Sequence, residues 1–152
     1  MFPTNSVVAI YRNRDQVERA VKELQKFDID IQKLSIVGKG YATGDDTIAY
    51  FNAVVPGVGA VLVSGPLMSY IVGALEDAIA VGGVAVIGAG LCSLGIPKNS
   101  AMYYESALKL GRFLLAAHGE AAEVTRAWDI IKITGPSEIN THSSTEVQAI
   151  GA

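Results

Sequence analysis

A chain of 152 residues and 16.0 kDa has the size of one domain. Twelve Lys and Arg against 15 Asp and Glu leave a net charge of −3, which excludes a sequence-wide positive field for holding nucleic acid. Half the residues are hydrophobic and 18% are charged, with a mean hydropathy of +0.34; this excludes a disordered chain and leaves a surplus of apolar surface to be covered.

Ser6-Val7-Val8-Ala9-Ile10-Tyr11 reads as a buried strand. From Asp15 onward, Val17, Val21, Leu24 and Phe27 recur at spacings of four and three, which predicts an amphipathic helix capped by Asn13. Lys33 to Val37 alternates like a strand and stops at Gly38, completing a β-α-β unit. In the loop that follows, Lys39 lies between two glycines and no Gly-Lys-Ser/Thr occurs, so the loop is a turn and not a phosphate-binding Walker A motif. Gly57-Val58-Gly59 and Gly88-Ala89-Gly90 are only fragments of a dinucleotide fingerprint.

The middle is different material. No charged residue occurs from Thr47 to Leu75, and after Glu76-Asp77 none occurs from Ala78 to Pro97. Small residues recur at every fourth position in the rows Gly65, Ser69, Gly73, then Ala74, Ala78, Gly82, and Ala85, Ala89, Ser93, which along a helix would let backbones approach closely. Beyond it, Ser100 to Leu110 predicts a helix capped by Asn99 or Ser100. Arg112 to Gly119 predicts a strand, Glu120 to Ile133 a helix with Val124, Ala127, Trp128 and Ile131 on one face, and Ser137 to His142 a closing edge strand.

An offset of about 107 residues lays Val17 to Val21 on Val124 to Trp128, so residues 6–38 and 112–142 look like two copies of one unit. The expected architecture is a single α+β domain over residues 1–142. Its ferredoxin-like β-α-β halves are separated by a glycine-rich, apolar, helical insertion at 47–111, and residues 143–152 form a flexible tail.

Three packings compete for the insertion. It could be buried between the subunits of a homo-oligomer, with Gly65, Ser69, Gly73, Ala74, Ala78, Gly82, Ala85 and Ala89 at the contact. It could form a membrane hairpin, Gly57–Leu75 and Ala78–Ser93, with Glu76-Asp77 at the turn. Or it could wrap its own sheet. The size of the apolar segment favours the oligomer, while Gly65-Pro66 and the short second run weaken the membrane reading.

Catalytic signals are weak. Cys92 has no local base or cation, cannot form an internal disulfide, and suits inert packing in a reducing, cytoplasmic compartment; residues 1–6 show no signal-peptide pattern. His118 and His142 lack the spacing of metal ligands, so neither metal nor cofactor is expected. His118, beside Gly119, is the better candidate for a ligand or pH-sensitive contact, and Glu76 with Asp77 could line a contact between subunits.

Several ordered blocks carry a likeness. They are Val7 to Tyr11, Ile36 to Lys39, Leu62 to Leu67, Ile71 to Glu76, Gly95 to Ser100, Tyr104 to Lys109 and Phe113 to Gly119. Through them the chain resembles the bacterial general stress protein 17M-like family. The resemblance implies a small stress-associated protein with a glycine-rich centre and no agreed biochemical activity, and a non-enzymatic role is expected; here the stretch before Pro56 is shorter than in the longer members. The functions weighed are a self-assembling, non-enzymatic stress protein, a membrane-associated protein anchored by the hairpin 57–93, and a small-ligand regulatory module binding near His118.

Overall fold

The computed structural model describes residues 5–41, 50–81 and 86–143, with the backbone alone described at 77–81 and 143. The first unit is β1 (Asn5–Tyr11), α1 (Arg14–Lys26), a short 3-10 turn (Ile31–Lys33) and β2 (Leu34–Lys39). The Asn13 side chain accepts from the Gln16 amide at 3.0 Å, the cap its position in the sequence predicts. The last unit is β5 (Phe113–Gly119), α5 (Ala121–Ile133) and β6 (Glu138–Ser143). Glu120 and Glu123 form a reciprocal capping box at the start of α5.

The four strands of the two units run in the order β2-β5-β1-β6, all antiparallel, which is the ferredoxin-like arrangement. Along the central strand β1, Ser6 to Tyr11 are buried without interruption, so both faces of the sheet are covered. One face carries α1 and α5, through Val17, Val21 and Leu24 on one helix and Val124, Ala127 and Ile131 on the other. The opposite face is covered by the insertion.

Residues 51–64 of the insertion are not helical. They form β3 (Phe51–Val55) and β4 (Gly59–Ser64), a hairpin that joins the sheet beside β2 and extends it to six strands. The local cause is Val55-Pro56-Gly57-Val58. The Val58 amide donates to the Val55 carbonyl at 3.0 Å, and Gly57 has φ +80, as a type II turn with proline second and glycine third demands. The β-branched residues on either side suit strands better than helices.

Helices follow: α2 (Leu67–Val81), α3 (Val86–Ser93) and α4 (Lys98–Lys109). Ser35 accepts from the Leu67 amide at 3.1 Å and so satisfies one orphan donor of α2. The first turn of α4 has Pro97 at its N-cap and no side-chain cap bond, so the helix begins two residues before Ser100. Leu67, Ile71 and Ala74 of α2, Val86, Ile87 and Leu91 of α3, and Ala101, Tyr104 and Leu108 of α4 share one core with Val61, Val63, Val37, Val8 and Leu114 of the sheet.

The open face of the chain's own sheet thus takes up the apolar residues of the insertion named above, the third of the expected packings, while Met68 and Tyr70 of α2 remain exposed. Among the small residues of the insertion, Ala74 is in that core, and Gly90 lies so close to α2 that a Cβ added to it would stand 3.0 Å from the Ile71 side chain. Gly65 is pressed against the backbone of β2. Ser69 and Ala89 are exposed, and Gly73 has open space above it. The side chain of Ala78, and residues Gly82 and Ala85, lie outside what is described.

Candidate ligand-binding site

A cleft of about 320 Å³ opens where the end of β5 meets α5 and the turn after α1. His118 forms part of its wall, and its position in the ladder is informative. Ser6 of β1 pairs with His118 on one side and His142 on the other, so the two imidazoles lie one strand to either side of β1. His142 is buried, with Nε2 2.7 Å from the Tyr104 hydroxyl, so it belongs to the packing of α4 on the sheet. His118 is half-buried, and its Nδ1 is buried without a hydrogen-bond partner among the described residues, a costly state for a polar atom.

Lys33 and Glu123, 90 residues apart, form an ion pair beside the ring, and the second Glu123 oxygen accepts from the Glu120 amide at 3.2 Å. Burial and the Lys33 ammonium together hold the His118 pKa below its ordinary value, against weaker opposing contributions from the Lys33 backbone and the Glu123 carboxylate. The hydrogen bond from Lys33 lowers the Glu123 pKa, and the Glu123 carboxylate raises that of Lys33.

A pH dependence follows. A group whose pKa is lower in the folded than in the unfolded chain contributes stability above its unfolded value and loses it in acid. Stability is expected to fall first below pH 6.5, where unfolded His118 gains its proton more readily, and again below pH 4.5 through Glu123. Urea titrations between pH 8 and pH 4 check this, with His118→Gln expected to remove the first decline and keep the second.

The other wall is the C-terminus of α1. The Asp28 amide donates to the Gln25 carbonyl and the Ile29 amide to the Leu24 carbonyl, both at 3.1 Å, closing the helix in a Schellman motif. That motif places its C′ residue in the left-handed region, usually a glycine, yet Asp28 occupies it at φ +60. Arg126 reaches across from α5 and donates to the Phe27 carbonyl. Asp28→Gly is expected to raise stability by about 0.5–1 kcal/mol, read as a higher urea midpoint at unchanged slope. A lower midpoint would mean that the carboxylate supports the fold.

Of the candidate site residues proposed from the sequence, His118 alone among the described ones lies in this cleft. Glu76 is exposed on α2, and the Asp77 side chain lies outside what is described. Cys92 is exposed on α3, and partial burial raises its thiol pKa. No group of three or more His, Cys, Asp or Glu among the described residues could hold a metal. Asp28, Lys33, Glu123 and Arg126 were not apparent from the sequence; the one local signal was an aspartate where the end of α1 calls for glycine.

The fold and cleft define a small α+β domain with a duplicated core and a ligand-sized depression. The chain belongs to the heat induced stress protein YflT domain family, whose model matches residues 6–111. The match includes the Asp28–Lys33 wall and ends before β5, so it covers neither His118 nor Glu123. No curated protein and no solved structure matches the chain.

Proposed function

We propose that this stress-family domain is a non-catalytic regulatory module of the 17M-like group that binds a small ligand in the His118 cleft. The observation that carries the reading is the unsatisfied, buried Nδ1 of His118 in the wall of a cleft of about 320 Å³. The unusual backbone of Asp28 on the opposite wall supports it, since local rules are most often broken where function requires it. The test is an NMR screen of the full chain against a broad library of metabolite-sized compounds. Binding should move the imidazole resonances of His118 together with the amides of Ile29 and Ala117; a library that moves none of them overturns the reading.

Self-association is a second reading with one observation behind it. On the outer face of α2, Met68 and Tyr70 are 36% and 41% exposed, Ser69 is exposed between them, and the space above Gly73 is open. A contact there would centre on Ser69 and Gly73, Gly65 being held against β2, and Ser69→Trp would then lower the mass measured by light scattering. An unchanged monomeric mass in both proteins would reject it. No described helix is long and apolar enough to cross a membrane. The side chains that a hairpin anchor at 57–93 would offer to lipid, such as Ile71, Ile87 and Leu91, are in the core.

A further inference from the structure

The two walls of the cleft differ in charge. On one, no side chain among the described residues pairs with the Asp28 carboxylate. On the other, Arg126 forms no ion pair with a described residue, and its guanidinium donates to the Phe27 carbonyl, leaving further N–H donors. Lys33 and Glu123 neutralise each other and do not decide the sign of a ligand. Between the walls the surface is apolar, with Ile29, Ala117 and Ala127 among its lining residues.

Asp28 and Arg126, far apart in sequence, are brought near each other in space, since Arg126 donates to the carbonyl immediately before Asp28, yet the two form no ion pair. Opposite charges kept near each other and apart suit a guest that carries both signs. We infer that the cleft recognises a small zwitterion of the free α-amino acid class with an aliphatic side chain. Asp28 would meet its ammonium group and Arg126 its carboxylate, with the aliphatic part against Ile29 and Ala127. This rests on the reading of the cleft as a small-ligand site and specifies its ligand. His118 would supply the remaining polar contact as a neutral ring, which its burial, and after it the Lys33 ammonium, favours.

The probe is L-leucine, titrated into the full chain and followed by NMR at His118, Ile29 and Ala117, alongside isocaproate, which lacks the ammonium, and isoamylamine, which lacks the carboxylate. Leucine should bind about tenfold or more tightly than either, because each missing charge forfeits a charge-assisted hydrogen bond. Asp28→Asn keeps the shape and tolerates the left-handed backbone; it should weaken leucine about tenfold and leave isocaproate unchanged, while Arg126→Gln should weaken leucine likewise and leave isoamylamine unchanged. If isocaproate or isoamylamine matches leucine at these resonances, or a library compound of a single charge binds where leucine does not, the zwitterion assignment is overturned and the small-ligand site stands. If nothing moves these resonances, both fall together.

Discussion

Ile71→Asp is expected to unfold the chain and not to dissociate it. Ile71 is 1% exposed, lies in one core with Val61 and Val63 of β4, and packs against Gly90 of α3. The substitution removes an aliphatic side chain whose burial stabilises by about 1.5–3 kcal/mol and buries an unpaired carboxylate costing roughly 3–5 kcal/mol. Together these rival the whole stability of a small domain, about 5–15 kcal/mol. Far-UV circular dichroism and urea denaturation read the effect. A folded, soluble Ile71→Asp protein of lower mass than wild type would place this residue at a contact between subunits.

Gly65→Ala is expected to destabilise by about 2–5 kcal/mol. Gly65 lies between β4 and α2 at φ +87, where a residue with a Cβ carries a conformational cost of about 1–2 kcal/mol. A Cβ there would stand 2.0 Å from the Leu34 carbonyl oxygen and 2.9 Å from its carbon, both backbone atoms at the start of β2. Relief requires moving a strand, and such overpacking costs about 1–3 kcal/mol more. Gly57→Ala is the control: at φ +80 with nothing within 4 Å of the new Cβ, it carries the backbone cost alone, about 1–2 kcal/mol. Equal urea midpoints for the two variants would show that Gly65 is not pinned against Leu34.

The two β-α-β units were legible because local signals agree with the tertiary structure. Val17, Val21 and Leu24 face the sheet as their spacing implies, Asn13 caps where its side chain can reach an orphan amide, and β1 is an unbroken hydrophobic run from Val7 to Tyr11 because both of its faces are buried there. The β3–β4 hairpin was not read because the glycines around it suggested helix packing, although Pro56-Gly57 between β-branched residues is a turn signal. The destination of the apolar insertion could not be read locally, since covering the second face of a sheet and covering a neighbour require the same residues. The cleft was hidden for a related reason. Lys33 meets Glu123, and Phe27 meets Arg126, only after chain segments 90 and 99 residues apart come together.

The capping of α3 shows the same limit. Glu105 on α4 is nearly buried, and its carboxylate accepts from the Gly88 amide at 2.6 Å, placing an acid on the N-terminus of a neighbouring helix. Nothing in the spacing of Glu105 distinguishes it from a solvated residue on its own helix. Its role depends on how α3 and α4 stack over the sheet.

That stacking within one chain is the claim on which the account rests, and an isotope-filtered NOE experiment on chains of two labelling patterns, unfolded and refolded together, tests it directly. Cross-peaks between the methyls of Ile71 and those of Val61 and Val63 should arise only within chains of one label. Cross-peaks joining differently labelled chains would show that the insertion covers a neighbour's sheet and would contradict the account.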